Sequence, residues 1–287
     1  MRKRARWLLL LPACLAAGAC AQPAPAAEDE EAQRMSDTVT RGRTVDGYTY
    51  TDAPVEARLG PHVFRFPANY YDDQMGPFFD GSLGLRVQWP DLAPMPPGET
   101  SRQTMDAFMK AVDYALDYVD RVPIRESLRR TTMRGEYIYE PDDVEYRDPE
   151  GRLDLRVAQP EAMGLVRYDV DPDDAAAYAR AYEAQWGRPY APIPGWRKDW
   201  YVARDADGEI VTFIQCDTDK ITDGLVVEGG ELRPSPNPKD RVAQCTHYLI
   251  LPEDDISVRI TYVRVLLPDW KRFESRIKQI LQDYRVR

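Results

Sequence analysis

The sequence predicts an α+β fold with mostly antiparallel sheets and amphipathic helices packed on one face. Several short runs alternate apolar and polar residues, which is the pattern of strands with one buried face. Two pairs of such runs are joined by turn-forming sequences, as in antiparallel hairpins. Other segments place apolar residues at intervals of three and four, as on one side of a helix.

The first half begins with strand patterns and continues with a helical pattern. SLGLRVQWP at 82–90 alternates apolar and polar residues, and HVFRFP at 62–67 has the same period. Helical spacing then connects Met105, Phe108, Met109, Val112, Leu116 and Val119. Thr100 and Gln103 fit a capping box before this helix. The predicted order is therefore strand, strand, helix.

The second half is predicted to contain two hairpins and a terminal helix. The run at 199–216 turns at 205–208, and the run at 247–265 turns at 252–255. Pro268 opens a helix whose apolar positions are Trp270, Phe273, Ile277, Ile280, Leu281 and Tyr284. Both halves thus run from strands through a proline into a helix, an order compatible with two related strand-strand-helix halves.

Between the halves, three further runs resemble strands: GEYIYE at 135–140, LDLRV at 153–157 and GLVRYDV at 164–170. The residues at 171–174 are typical of a helix start, and Gly187 is typical of a helix end. We expect a helix between them.

The N-terminal segment 1–19 has the three parts of a secretory signal peptide, namely a basic start, a short apolar run and a small-residue exit. Its apolar run is shorter than the roughly 20 residues that span a bilayer. The exit Ala17-Gly18-Ala19-Cys20 resembles the bacterial lipobox, which implies acylation of Cys20. Ala21 after it implies sorting to the outer membrane. A weaker lipobox ends at Cys14, and an ordinary cleaved signal is the alternative.

Residues 20–43 are predicted to be a flexible tether because they are rich in Ala, Pro, Gln and acidic residues. The folded part is then divided into an N-terminal half, 44–130, and a C-terminal half, 131–287. Removal of the leader takes away four basic residues and changes the formal net charge from −10 to −14. Such an acidic domain excludes nucleic acid as a partner and leaves the lipid anchor as the only membrane contact.

The remaining cysteines indicate an oxidising compartment, at the periplasmic face of the envelope. With Cys14 in the leader and Cys20 acylated, Cys216 and Cys245 are an even pair and are predicted to form a disulfide. Together with His247 they would make an incomplete zinc site, so we expect no structural metal.

No catalytic motif is recognisable, and we predict neither an enzyme nor a cofactor. His62 and His247 are the only histidines, and neither has a neighbour that suggests a nucleophile or a metal site. Asp217, Asp219, Asp223 and Glu228 have part of the spacing of a calcium loop, but the glycine is displaced. We therefore favour a solvated acidic loop.

Two acidic segments are candidate sites for a protein partner. The first comprises Tyr70, Tyr71, Asp72, Asp73, Phe78 and Phe79, and the second contributes Asp217, Asp219 and Asp223. Exposed aromatic residues among carboxylates suit a protein partner, although Phe78 and Phe79 can equally fold back onto the core.

Four segments carry a resemblance to a known group of proteins: RLGPHVFRFPANYY, LRVQWPDLAP, QCTHYLI and VLLPDWKRFESRIKQIL. Together with Cys216 they resemble Gram-negative periplasmic lipoproteins that include immunity proteins of type VI secretion phospholipase effectors. The resemblance implies a protein that occludes the active site of a toxin delivered by a neighbouring cell. A structural or small-ligand-binding envelope lipoprotein without a toxin partner is the alternative.

Overall fold

An eight-stranded antiparallel sheet is the centre of the computed structural model, which describes residues 42–191, 197–236 and 241–286. The predicted signal peptide, with Cys14, and the predicted tether from Cys20 to residue 41 lie outside the described residues. Within those described ranges, no helix is long and apolar enough to cross a membrane.

The described strands are β1 (Gly42–Val45), β2 (Tyr48–Thr51), β3 (Pro54–Leu59), β4 (His62–Pro67), β5 (Leu83–Gln88), β6 (Ala111–Tyr118), β7 (Val157–Ala158), β8 (Val166–Asp169), β9 (Lys198–Arg204), β10 (Ile210–Asp217), β11 (Leu225–Glu228), β12 (Glu231–Pro234), β13 (Gln244–Leu251) and β14 (Ile256–Val263). The described α-helices are α1 (Met105–Met109), α2 (Ile124–Thr132), α3 (Arg134–Ile138), α4 (Pro172–Trp186) and α5 (Trp270–Tyr284).

The large sheet has the strand order β5-β6-β14-β13-β10-β9-β8-β7, and all its neighbouring strands are antiparallel. The ribbons β1-β2, β3-β4 and β11-β12 are separate two-stranded sheets. The predicted α+β class with mostly antiparallel sheets is confirmed. Because β6 pairs with β14, strands from both predicted halves share one sheet.

Helix α5 covers one face of the sheet because its apolar residues repeat at intervals of three and four. Phe273, Ile277 and Ile280 are fully buried and belong to the same core cluster as Ile260 of β14. Full burial of each such side chain stabilises the fold by about 1.5–3 kcal/mol. The terminal helix that the sequence predicts therefore packs on this face, in the same core cluster as Phe64 and Phe66 of β4.

Helix α2 lies on the opposite face of the sheet. Phe213 and Ile214 are neighbours in β10 and point to opposite faces; Ile214 joins the α5 cluster, whereas Phe213 packs with Leu128 of α2 and with Trp200. The sequence predicted helices on one face only, and it did not predict that α2 packs on the other face.

The helix predicted over 105–119 is wrong beyond its first turns. Only Met105–Met109 is helical, and Ala111–Tyr118 forms β6. Val112, Tyr114 and Leu116 are buried, so a period of two governs this segment. The helix is capped by Thr104 and not by Thr100, because the Thr104 hydroxyl accepts a hydrogen bond from the Ala107 amide at 3.2 Å.

The strand predicted at 135–140 is also wrong, since these residues include helix α3. The phenol of Tyr137 bonds to Glu126 and Arg129 of α2, a tertiary contact that outweighs the strand preference of its aromatic neighbours. The run at 153–157 forms a 3-10 turn, Leu153–Leu155, and only its last residue enters β7.

The other predicted elements are confirmed. The two hairpins are β9-β10 and β13-β14. Helix α4 begins after Asp171, whose carboxylate accepts a hydrogen bond from the Asp173 amide at 2.8 Å. It ends at Gly187, which has the left-handed backbone (φ +65°) that glycine adopts without strain.

The predicted disulfide is present and joins the facing strands β10 and β13. Cys216 and Cys245 are directly opposite in the register, with their Cα atoms 4.0 Å apart, and both are fully buried. The bond therefore connects the two central strands at one end of the sheet. Residues 218–236 follow β10 at this same end.

Candidate functional site

Among the described residues, the most exposed aromatic side chain lies in residues 72–82, the segment between the buried Tyr71 and strand β5, which we call the aromatic loop. Phe79 is fully exposed, while Phe78 and Met75 are 43% and 47% exposed. Large apolar side chains contiguous on a surface commonly mark an interaction site. The structure thus places the predicted pair Phe78 and Phe79 at the surface.

Two carboxylates fold the aromatic loop into tight turns. Oδ1 of Asp73 accepts hydrogen bonds from the amides of Met75 and Gly76 at 2.8 and 3.2 Å. Oδ1 of Asp80 accepts them from the amide and the hydroxyl of Ser82 at 3.0 and 2.6 Å. Short polar side chains favour such turns because their oxygen atoms accept hydrogen bonds from nearby backbone amides. The loop is therefore ordered by its own residues.

Backbone hydrogen bonds close the turn that carries Phe79. The Phe78 amide donates to the Ser82 carbonyl at 3.2 Å, and the Gly81 amide donates to the Phe78 carbonyl at 3.1 Å. Gly81 has φ +86°, a backbone conformation that favours glycine. Phe79 consequently stands at the tip of a closed turn.

Gln74 fastens the base of the aromatic loop and is only 1% exposed. Its Nε2 donates to the carbonyls of Met95 and Pro96 at 3.2 and 3.1 Å, and its Oε1 accepts from the Gly98 amide at 2.7 Å. One buried amide thus links the loop to the segment at 95–98.

Gln74→Asn should loosen this base, because asparagine tolerates the left-handed backbone of residue 74 (φ +60°) but is one methylene too short. We expect the free energy of unfolding to fall by about 1–2 kcal/mol, since buried backbone groups lose their partners. Hydrogen exchange should accelerate at the Gly98 amide. The exposed Gln279→Asn is the control, and unchanged exchange at Gly98 would contradict this role of Gln74.

Gly84 lets the loop pack closely against β5. The Asp72 amide donates to the Gly84 carbonyl at 3.1 Å. A Cβ atom at residue 84 would lie 2.8 Å from both the Asp72 carboxylate and the Phe78 ring, closer than side chains pack. The sequence pattern placed Gly84 on the solvent face of a strand and gave no reason for a glycine there. A glycine inside a strand, which signals close approach by another segment, was the available clue.

The aromatic loop is acidic. Asp72, Asp73 and Asp80 lie within 72–82, and this segment contains no Lys or Arg. Burial, followed by the charge of Asp73, raises the pKa of Asp72 above its ordinary value, against the lowering effects of the Asp73 amide and Arg86. Like-charge repulsion is thus present at the base of the loop.

Tyr70 and Tyr71, predicted as partner contacts, are core residues. Both side chains are buried. The Tyr71 hydroxyl donates to the Val55 carbonyl at 3.1 Å, and the Tyr70 hydroxyl bonds to the Arg276 guanidinium at 2.8 Å. They support the fold beneath the aromatic loop and have no surface to offer a partner.

The second predicted segment uses its carboxylates internally. Asp217 forms an ion pair with Lys198 and accepts a hydrogen bond from the Gln244 amide, and Asp223 pairs with Arg264 at 2.7 Å. Asp219 lines a charged depression that also contains Lys198. Among the described residues no group of three or more His, Cys, Asp and Glu side chains is arranged to hold a metal ion.

The strand register separates the two predicted segments. Leu83 at the start of β5 lies in the same cross-strand row as Thr212 near the start of β10, through Leu116, Val258 and Leu249. The aromatic loop leads into the start of β5, whereas Asp217 is the last residue of β10. The two segments therefore lie at opposite ends of the sheet.

Both histidines make structural hydrogen bonds. His62 bonds through Nε2 to the Asp254 carbonyl at 2.9 Å. The fully buried His247 bonds through Nε2 to Glu274 of α5 at 3.0 Å, and the Thr212 hydroxyl donates to the same carboxylate at 2.6 Å. This cluster ties α5 to the sheet, and Glu274 also lines a surface depression together with Lys278 and Leu281.

The chain is similar to the solved structure of Smlt3025, an immunity protein of the Stenotrophomonas maltophilia type IV secretion system. The sequences are 40% identical, the match covers 87% of this chain and 100% of that one, and the TM-score is 0.80. No protein-family model and no curated protein matches the chain. The comparison supports the resemblance to immunity proteins, but it does not support the type VI phospholipase assignment.

Proposed function

The chain belongs to the family of secretion-system immunity proteins that includes Smlt3025, and on that premise we propose that it binds and neutralises a toxic effector. The neighbour's system favours a type IV route of delivery over the type VI route expected from the sequence. Neutralisation requires the protein to cover a surface that the toxin needs, and it requires no catalytic residue.

The observation that carries this proposal is the exposed Phe79 on a loop that is already ordered. Aromatic side chains are prominent among the residues that dominate binding energy at interfaces. A loop held by its own hydrogen bonds loses little conformational entropy when it binds. The aromatic loop therefore has both properties of an inhibitory contact, and the internally paired carboxylates Asp217 and Asp223 do not.

We also propose that the protein is anchored by acylated Cys20 at the periplasmic face, in the outer membrane. The Cys216–Cys245 disulfide supports an oxidising compartment. The acidic composition of residues 20–43 supports an extended tether between anchor and domain.

Cys20→Ser should abolish metabolic labelling with a palmitate analogue and move the protein from the membrane fraction to the soluble fraction, because the acylated thiol is lost. Cys14→Ser is the matched control and should change neither property. Labelling that persists in the Cys20 variant and disappears in the Cys14 variant would move the anchor to Cys14, and a wild-type protein that is not labelled would refute the anchor.

The function is tested by deleting the gene and exposing the cells to siblings that retain the secretion system. We expect survival of the deletion strain to fall, and to recover when the gene is supplied in trans. Attackers without the secretion machinery are the control and should leave survival unchanged. Equal survival with and without the gene would contradict the proposal and favour an envelope lipoprotein without a toxin partner.

A further inference from the structure

We infer that the aromatic loop is a preformed wedge positioned by Gly84, and that it enters an apolar cleft of the effector whose rim carries Lys or Arg. This inference rests on the proposed function and adds the chemistry of the partner surface. It also assigns a binding role to Phe79 and a positioning role to Gly84.

The shape of the loop points to a cleft and not to a flat surface. Phe79 is fully exposed at the tip of the turn, and Phe78 is partly covered where its ring packs over Gly84. A single projecting ring loses most contact with water when it enters a concave apolar site. On a flat surface, much of the ring would remain exposed to water.

The charge of the loop indicates what surrounds that cleft. Asp73 and Asp80 each use Oδ1 for the turn hydrogen bonds, and among the described residues neither carboxylate forms an ion pair with Lys or Arg. Burial is the main cause that raises the pKa of Asp72, and the neighbouring charge of Asp73 adds like-charge repulsion. A cationic rim would relieve this repulsion and would accelerate association at low salt.

Gly84 determines where the wedge points. A glycine within a strand lowers stability relative to alanine, so its presence in β5 has a reason outside the strand. The atoms that a Cβ would meet belong to the side chains of Asp72 and Phe78 in the loop itself. Gly84→Ala should therefore leave the sheet intact and displace the loop.

Four variants, produced at limiting level in the deletion strain, test the wedge in the contact assay. Phe79→Ala and Gly84→Ala should lose protection, whereas the exposed Phe108→Ala and the unhindered Gly42→Ala should retain it. Thermal unfolding should be nearly unchanged in Phe79→Ala. In a Phe79→Ala background, Gly84→Ala should have little additional effect, because a positioning residue acts through the group it positions.

The double variant Asp73→Asn/Asp80→Asn tests the charge of the loop without changing its shape. Each asparagine keeps an Oδ1 atom that can accept the turn hydrogen bonds. Asp143→Asn/Asp171→Asn removes the same charge at two other turn-capping carboxylates and is the control.

A photo-reactive phenylalanine at residue 79 then captures the surface that the wedge enters, in cells under attack. We expect a cross-linked effector peptide that is apolar and flanked by Lys or Arg. With that effector purified, Phe79→Ala should weaken affinity by about 30-fold, the scale of an interface hot spot. The loop Asn pair should slow association by about fivefold at low salt, which corresponds to the loss of two exposed ion pairs, and it should weaken the salt dependence of association more than the control pair does.

The failures are distinguishable. If the deletion strain survives attack, the proposed function fails. If deletion is lethal under attack but Phe79→Ala and Gly84→Ala protect as well as the wild type, the wedge is overturned and the function stands. A cross-link to an acidic surface, or association rates equal in the loop and control Asn pairs, overturns the cationic rim.

Discussion

Replacing Glu274 with alanine is expected to lower the free energy of unfolding by about 3 kcal/mol, because breaking a buried, hydrogen-bonded pair leaves its partners unsatisfied. Glu274 accepts hydrogen bonds from Thr212 and His247, and His247 is fully buried. Loss of this carboxylate would leave both groups enclosed between α5 and the sheet without their acceptor. Thermal unfolding should shift down by about 6–12 °C for a domain of this size.

The dependence of this effect on pH follows from the pKa of Glu274. Burial alone would raise it, but the hydrogen bond and charge of His247, with help from Thr212 and Lys278, lower it below the ordinary value of 4.5. A lowered folded-state pKa means that the stabilisation is present above about pH 4.5 and is lost as the pH falls through the folded-state value. The difference between wild type and Glu274→Ala should therefore shrink on acidification.

The measurement is denaturant unfolding of both proteins between neutral and acidic pH. Asp283→Ala removes an exposed carboxylate from the same helix and is the matched control. Equal midpoints for Glu274→Ala and Asp283→Ala at neutral pH would show that the buried cluster does not hold α5 to the sheet.

Removing the disulfide is the second change with a large expected effect. Cys216→Ala/Cys245→Ala should lower the free energy of unfolding by about 3–4 kcal/mol, because the cross-link closes a loop with a sequence separation of 29. Both residues are fully buried in the two central strands, so alanine is preferred to serine, which would add an unpaired hydroxyl.

Guanidinium unfolding with and without a strong reductant measures this contribution. Reductant should lower the midpoint of the wild type once the protein unfolds, and it should leave the double alanine variant unchanged. Peptide mapping without reduction should recover Cys216 joined to Cys245. A wild-type midpoint that is insensitive to reductant would contradict the stabilising role of the bond.

The fold was predictable where local chemistry and tertiary structure agree. The turn at 205–208 and the caps at Asp171 and Gly187 depend only on residues next to them in the sequence, and they are found where the sequence places them. The segment at 105–119 was predicted as a helix because Val112 and Leu116 are four residues apart, a spacing that fits one face of a helix and also one face of a strand. The alternating pattern prevails because β6 pairs with β14 and β5, which are distant in the sequence.

The candidate site was predictable only in part for the same reason. Phe78 and Phe79 were recognisable because they stand among turn-forming and acidic residues. Tyr70 and Tyr71 directly precede the aromatic loop but are buried, and their hydroxyls bond to Arg276 and Val55, contacts that no local pattern indicates. Asp217 and Asp223 were taken as free charges because their partners, Lys198 and Arg264, are brought to them only by the sheet.

The similarity to Smlt3025 and the geometry of the aromatic loop contribute different parts of the account. The similarity establishes the family and, with it, the kind of partner that we propose. The geometry indicates which residues would meet that partner. The second part depends on Phe79, Gly84 and the carboxylates beside them.

Growth rescue in a heterologous host tests the central claim most directly. The host exports to its periplasm the toxic effector captured from attacking cells, and this protein is supplied in the same compartment. We predict that growth stops with the effector alone, resumes with the wild type and with Phe108→Ala, and does not resume with Phe79→Ala. Growth inhibition that the wild-type protein leaves unchanged, or that Phe79→Ala relieves equally well, would contradict neutralisation through the aromatic loop.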